Sequence, residues 1–487
     1  MSRFIVTSLR WGLPLVIACA AVTAAGQGIY PSTPDWESID SGVSTGAALV
    51  DLDRDGWLDL VVANGNDMIE QHLVVYYNNG DGTFPTTRDW QSDDVDYNGH
   101  LDVADVNGDG WPDVAVSVLG QFEVAGVAAK LYLNNNGTLS ATPDWQSDVI
   151  THAFGCAFGD VNNDGRPDLA VATGWAYSSE PFDYHQLLYL NNGGTLSATA
   201  DWVSDDEDHL QGGLWTDADR DGWLDFVGIA YGAQTRVYRN LGGTLETTAS
   251  WSTTDSADQD GIMVVAGDVN GDGHSDLITA DNNQLTGSGL FRQYDGLPGG
   301  FYETTHGWTY DAGLCSAVAL ADVDADGRLD LATGAWWDST RLFLNTGTGL
   351  PPTPDWSSAT SRVIEKIVFG DVDNDAPRVA TEVFPATGER LFHLARRPIQ
   401  EVVSVQRDGV PMAPDEFVLD RDDGWVTVAA APTVALEVRY RWSTSQDMTV
   451  SNWDELVGNY LYYNRLGALF TDDFESGNTL MWSATVQ

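Results

Sequence analysis

The chain has 487 residues and carries 72 acidic against 23 basic side chains, a formal charge of −49 at neutral pH. That excess excludes a general nucleic-acid binder, which needs a basic face, and makes a cation-free fold self-repelling. Length alone suggests about three ordinary domains, but an internal period of 49 to 57 residues overrides that count.

Residues 1–25 read as a secretory signal: Arg3 and Arg10, an apolar run from Trp11 to Val22, then Thr23-Ala24-Ala25 before Gly26. The expectation is an exported protein, secreted, periplasmic or held at the cell surface. The apolar run is too short for a transmembrane anchor, and nothing comparable follows. Val16-Ile17-Ala18-Cys19 also resembles a bacterial lipobox, which would lipidate Cys19, but the apolar stretch continues past it to an ordinary cleavage site.

The first repeat contains Asp51, Asp53, Asp55, Gly56 and Asp59, followed by the apolar run Leu60-Val61-Val62-Ala63. A tight loop with this spacing turns the side chains of positions 1, 3, 5 and 9 inward, adds the carbonyl of position 7, and needs glycine at 6 for the bend. The result is an oxygen cage for a hard cation, and calcium suits it better than magnesium, which keeps its waters. The pattern returns at Asp105, Asn107, Asp109, Asp113; at Asp160, Asn162, Asp164, Asp168; and at Asp217, Asp219, Asp221, Asp225. It appears again at Asp268, Asn270, Asp272, Asp276 and at Asp322, Asp324, Asp326, Asp330. Six complete copies hold 21 carboxylates, too many for ordinary solvated turns, because alternate acids crowded into one loop repel unless a cation neutralises them. Position 12 is Val62, Val116, Val171, Gly228, Thr279 or Thr333 rather than glutamate, so these are strand-flanked loops and not EF-hands.

Each unit reads as four short strands. One such as Ala47 to Val50 enters the loop, and Leu58 to Ala63 leaves it. A third, such as Leu73 to Asn78 or Lys130 to Asn134, precedes a Gly-Thr turn and an outer strand. Trp36, Trp90, Trp145, Trp202, Trp251, Trp308 and Trp356 mark that outer strand, 14 to 17 residues before the next loop. Recurrence at every repeat assigns them to packing against the neighbouring unit rather than to a sugar surface. The period suits a four-stranded blade, and the fold class expected is all-β, a seven-bladed β-propeller. Cys156 and Cys315 lie three units apart, too far around a ring for a disulfide.

These loops, with Phe158-Gly159-Asp160 and Phe369-Gly370-Asp371, resemble the FG-GAP or VCBS repeats of integrin alpha-subunit heads and many secreted bacterial proteins, over roughly residues 29–376. The resemblance implies calcium at the loops joining strands 1 and 2, with partners meeting the opposite face.

The seventh copy begins at Asp371, Asp373 and Asp375, then has Ala376 for glycine and Val379 for the ninth-position Asp. Residues 377–445 read as a separate small β-module with strands at Glu401 to Val405, Asp415 to Leu419, Trp425 to Ala429 and Ala435 to Trp442. The expectation is that this module is inserted in the last loop, that Asp447 rejoins the three acids as a seventh calcium site, and that Tyr30 to Trp36 completes the blade. The alternative makes the blade from Arg378 to Phe384 and Arg390 to Leu394 and packs 447–464 elsewhere. The resulting division is 26–376 for the propeller up to the start of blade 7, 446–464 for its remainder, and a tail at 465–487 with no derivable role.

No nucleophile elbow, zinc motif or phosphate loop appears, and no catalytic residue is assigned. His100, His152 and His209 fall in connections on the face opposite the acidic loops and read as ordinary polar loop residues. Trp175, Tyr177, Phe182, Tyr184, Tyr231, Trp336 and Trp337 lie in variable loops of that face, with Trp175, Tyr231, Trp336 and Trp337 the candidate ligand contacts. The expected function is a calcium-stabilised monomeric scaffold that binds a carbohydrate or protein, possessing six cation sites and a seventh if the split loop assembles. The alternative is a polysaccharide lyase or hydrolase, or a lectin, on the same propeller; an enzyme should gather His, Arg or Lys with acids in the central funnel.

Overall fold

The computed structural model describes residues 28–40, 42–121, 124–174, 184–255, 259–285, 287–454 and 456–466. The leader with Cys19, the aromatics Trp175, Tyr177 and Phe182, and the tail from 467 lie outside the described residues. Among those described, every element is a strand except one 3-10 turn at Pro414–Glu416, and no helix is long and apolar enough to cross a membrane.

Blade 1 is an antiparallel sheet of Ser44–Val50, Asp59–Gly65, Glu70–Tyr76 and Trp90–Gln91. Five more blades repeat this order, their first strands being Asn98–Ala104, Ala153–Gly159, His209–Thr216, Gly261–Gly267 and Cys315–Ala321. Every residue of Asp59–Gly65 is buried, as is every residue of Asp113–Val118 and Asp168–Thr173. Blades cover both faces of the second strand, which is why it reads as a continuous Val/Leu/Ala run without alternation.

The seventh sheet takes Ile364–Gly370, Asp447–Asn452, Tyr460–Tyr462 and, from the other end of the chain, Trp36–Glu37. Gly370 pairs with Asp447, and Trp36 pairs with Leu461. First strands of successive blades touch all the way round, with Ile364–Gly370 against Ser44–Val50 closing the ring. Closure leaves no open sheet edge between first and last blades. The fold is an all-β propeller whose N-terminal strand completes the last blade, with a small β-module inserted.

The first strand of every blade carries a register shift near its start, for example at Ser44/Gly46, Leu210/Gly212 and Ile364/Lys366. Such bulges bend and twist the strand, here at the axial end of each blade. Neighbouring first strands pass so closely there that a Cβ on Gly212 would sit 2.7 Å from the Ile262 carbonyl oxygen. Only glycine fits.

Between Asp375 and Asp447 the insertion forms two sheets. Pro377–Pro385, Ala435–Ser443, Glu401–Arg407 and Val410–Pro411 make one; Leu391–His393, Trp425–Val428 and Phe417–Leu419 make the other. Arg378 to Phe384 therefore pairs inside the insertion and not in a blade, against the alternative raised above. The insertion has its own core of Phe392, Val405, Val426, Leu436 and Tyr440, yet Leu391, Val418 and Trp425 join the cluster of Val161, Trp215 and Leu224. It packs on the loop-bearing face: Arg397 donates to the Ala266 carbonyl at 2.9 Å and Arg390 to that of Asn163 at 3.1 Å.

Candidate metal loops and the opposite axial mouth

Each acidic loop begins where a first strand ends, so the strand delivers position 1 at the loop face. Asp51, Asp105, Asp160, Asp217, Asp268 and Asp322 accept the amide of the glycine at position 6, at 2.7 to 3.1 Å. Those glycines have φ of 84 to 94°, the left-handed conformation that favours glycine. Position 4 is left-handed too, at Arg54, Asn163, Arg220, Ala325 and Asn374 as well as Gly108 and Gly271. The spacing of ligand residues gave no sign of this second bend. Position 5 accepts the amide of position 7, as in Trp57 to Asp55 at 2.9 Å.

Position 9 does more than face the loop. Asp59 accepts the amide of Leu52 on one oxygen and that of Asn78 on the other, both at 2.9 Å. The same pair of bonds recurs at Asp113, Asp168, Asp225, Asp276 and Asp330, and Asp447 makes it with Val372 and Asn464, both at 2.8 Å. Position 9 thus ties the loop to the end of the third strand.

That third strand ends in an asparagine whose carboxamide crosses to the preceding blade. Asn134 donates to the Leu52 carbonyl at 2.9 Å, Asn191 to Val106 at 2.8 Å, Asn240 to Val161 at 2.7 Å and Asn464 to Val323 at 2.8 Å. Asn78 closes the ring by donating to Val372 at 3.0 Å. Blade 5 has Gly296 there, and the Phe301 amide reaches Ala218 instead. These bridging asparagines were missed; the recurring Asn two or three residues ahead of a Gly, at Asn78, Asn134, Asn191, Asn240 and Asn345, was the available signal.

Among the described residues, carboxylate oxygens of Asp51, Asp53 and Asp59 lie within 4.8 Å of one another, as do those of Asp217, Asp219 and Asp225, of Asp322, Asp324 and Asp330, and of Asp371, Asp373 and Asp375. Each set could hold a metal ion. In the loops with asparagine at position 3, no such group of three acids forms among those residues. Several loop oxygens are buried with no hydrogen-bond partner: Oδ1 of Asp51, Asn162, Asp322 and Asp375, and Oδ2 of Asp371. A buried acceptor without a donor is costly, and a bound cation relieves it. Some carboxylates already face cationic side chains, Asp164 with Arg166 at 2.5 Å, Asp219 with Arg239, and Asp322 with Arg396 at 3.7 Å; the Thr427 hydroxyl donates to Asp160 at 2.8 Å.

Burial pushes the position 9 carboxyls up, to about 7 at Asp59, Asp113 and Asp330 and to about 8 at Asp225, neighbouring loop acids adding to it and backbone amides opposing it. Asp168 and Asp447 are raised well above the carboxylate range for the same reason. Without a cation, burial therefore disfavours the charged form of these groups.

At the other end of the first strands, roughly 20 Å away by strand rise, the blades converge on an axial mouth. Asp67, Leu119, Phe154, Gln211, Asp260, Trp336 and Glu365, one from each blade, line a cavity of about 30 Å³ together with Trp453. Trp336 is only 7% exposed, donates its Nε1 to Glu365 at 2.6 Å and packs on Trp453 at 5.1 Å. Trp337 is 65% exposed, so the adjacent tryptophans have opposite environments. Tyr231, at the end of its strand, does not line the cavity but bridges to Asp260, which does, and its ring lies 6.2 Å from that of His209. His100 is buried against Phe154, which drives its pKa down to about 3, and His152 meets the Leu119 carbonyl at 2.6 Å. Cys156 and Cys315 are free and buried.

A closed ring of four-stranded sheets with an acid-rich loop at the same place in each blade defines a loop-repeat β-propeller. Four stretches, residues 51–116, 124–171, 217–279 and 268–333, match the model of the FG-GAP-like repeat, so the propeller carries FG-GAP-like repeats. Human integrin alpha-7 is 33% identical over 111 residues, which is 20% of this chain and only 8% of that protein. Among solved structures, BBS1N in complex with ARL6DN is similar at a TM-score of 0.46 and 12% identity, over 71% of this chain and 91% of that one. Sqt1 of Saccharomyces cerevisiae is similar at a TM-score of 0.46 and 9% identity, over 88% of this chain and 97% of that one.

Proposed function

We propose that the protein is an exported binding or adhesion scaffold, a propeller held rigid by calcium at its acidic loops and meeting a carbohydrate or protein ligand with the opposite face. Side chains at positions 1, 3, 5 and 9 of the six complete loops are the ligands, with Asp447 supplying position 9 to the seventh. All-oxygen donors of mixed carboxylate and carboxamide type fit calcium.

The observation that carries the binding reading is the axial mouth. Glu365 is fully buried, its Oε1 has no partner, and it faces the cavity between Trp336 and Asp67. Aromatic rings beside unsatisfied polar groups at a pocket to which every blade contributes suit recognition. Among the described residues lining it there is no His, Arg or Lys to partner the acids, which favours binding over the hydrolase or lyase alternative.

Glycan and protein arrays probed with the purified protein, its Glu365→Gln form and its Trp337→Ala form, each with calcium and with chelator, test this. Calcium-dependent retention on one ligand class, weakened about tenfold by either substitution, is expected. Depolymerised glycan, or retention indifferent to both substitutions, contradicts it.

A further inference from the structure

The seventh loop differs from the others in who builds it. Asp371, Asp373 and Asp375 come from one side of the insertion and Asp447 from the other, 72 residues after Asp375, where it takes the amides of Val372 and Asn464 as every position 9 acid does. Around them stand neutral oxygens from outside the loop. Gln400 of the inserted module donates its amide to the Asp371 carbonyl at 3.2 Å, and its Oε1 is left buried with no partner. Ser445, on the return to the blade, is fully buried with its hydroxyl beside the Asp375 carboxyl and no hydrogen-bond partner of normal geometry. Asp371 Oδ2 and Asp375 Oδ1 also make no hydrogen bond of normal geometry, although the Ser443 and Ser445 hydroxyls lie beside those two carboxyls, and Asp371 is fully buried.

Four buried oxygens with no hydrogen bond of normal geometry, from three separated stretches of chain, gather at the one loop that lacks the glycine bend. The loop also borders the ring closure: Asn374 donates to the Gly56 carbonyl of loop 1 at 3.1 Å, and a Cβ on Gly82 of blade 1 would sit 2.5 Å from that of Asp373. We propose that Gln400 and Ser445 complete a split divalent-cation site with Asp371, Asp373, Asp375 and Asp447, and that its occupancy fastens the inserted module to the propeller at the ring seam. The proposal rests on the reading that the acidic loops bind calcium. Neutral amide and hydroxyl oxygens raise the ligand number toward the six to eight that calcium takes without adding repulsion. Loop 3 also meets the module, but there the Thr427 hydroxyl donates to the Asp160 carboxylate at 2.8 Å, whereas Gln400 Oε1 has no hydrogen-bond partner and can face a cation.

The test is calcium titration of the full chain by calorimetry, joined to amide hydrogen exchange over residues 377–445 with and without calcium. The variants are Gln400→Ala and Ser445→Ala, each isolated, with Asp53→Asn as a comparison at loop 1. The expected result is loss of a single calcium equivalent in either variant, together with loss of the calcium-dependent protection of 377–445. Asp53→Asn also loses an equivalent but keeps that protection. Gln400→Ala and Ser445→Ala both retaining the wild-type stoichiometry and protection, while Asp53→Asn loses its equivalent, overturns the split site and leaves the loop reading standing. A wild-type chain that takes up no calcium overturns both.

Discussion

At the scale of single residues, the two groups that matter most do opposite work. The position 9 aspartate gathers two backbone amides and still faces the loop, while the asparagine after the third strand carries a blade's hold on its neighbour. Replacing Asn134 by Ala leaves the carbonyls of Leu52 and Pro112 without its amide. Urea denaturation at saturating calcium should show a loss of about 2–4 kcal/mol, as for unsatisfied buried acceptors. The carboxyls predict a pH dependence whose sign follows from their direction. The folded pKa values of Asp59 and Asp225, about 7 and about 8, lie above the ordinary carboxylate value near 4. A folded state that holds protons more tightly than the unfolded one is favoured at low pH, and that advantage is lost as pH rises through the folded pKa. In chelator, the melting temperature should therefore fall between about pH 4 and pH 8. On the proposed reading calcium takes the deprotonated acids, so the rise in melting temperature it causes should be larger at pH 8 than at pH 5; an increment that shrinks with pH contradicts the assignment.

Within an element, the acidic loops were legible because the residues that make a loop are neighbours in sequence. What escaped was anything whose partner lies in another blade or in the insertion. Asn134 looks like a turn residue until Leu52, 82 residues earlier, is placed beneath it. Arg378 to Phe384 entered only as a blade strand in the alternative and not as part of the module, since Pro377–Pro385 opens on proline and mixes charged with apolar residues on a largely exposed edge. The Trp336-Trp337 pair gave no indication of which ring turns inward. The outer-strand tryptophans, in contrast, were readable from recurrence: Trp251 meets Tyr302 edge-on at 5.4 Å and donates to its carbonyl at 2.9 Å, and Trp145 meets Tyr189 at 4.9 Å. Trp251→Ala should cost about 3–5 kcal/mol in denaturant unfolding. Trp337→Ala, at an exposed position, should stay within about 0.5 kcal/mol. Equal costs would reverse the roles given to the two classes of tryptophan.

Over the whole molecule, closure and charge are one problem. The N-terminal strand and the late strands Asp447–Asn452 and Tyr460–Tyr462 meet in one blade, so the chain cannot complete its ring until both ends are in place. The insertion was legible from the broken loop, because Asp447 followed by an apolar strand restores the pattern that Val379 interrupts. Its docking over the loop face was not, since arginines at 390, 396 and 397 show no partner until the loops are folded beneath them. Unpartnered buried oxygens, raised carboxyl pKa values and a charge of −49 are what the proposed cation-stabilised frame would require. Each occupied site adds about 2.7 kcal/mol at a hundredfold excess over its dissociation constant.

The most direct measurement is calorimetric unfolding of the chelator-treated chain at pH 7.5, repeated after calcium is restored. The melting temperature should rise by at least ten degrees or so with calcium, several sites contributing together. Superimposable curves with and without calcium would contradict the account.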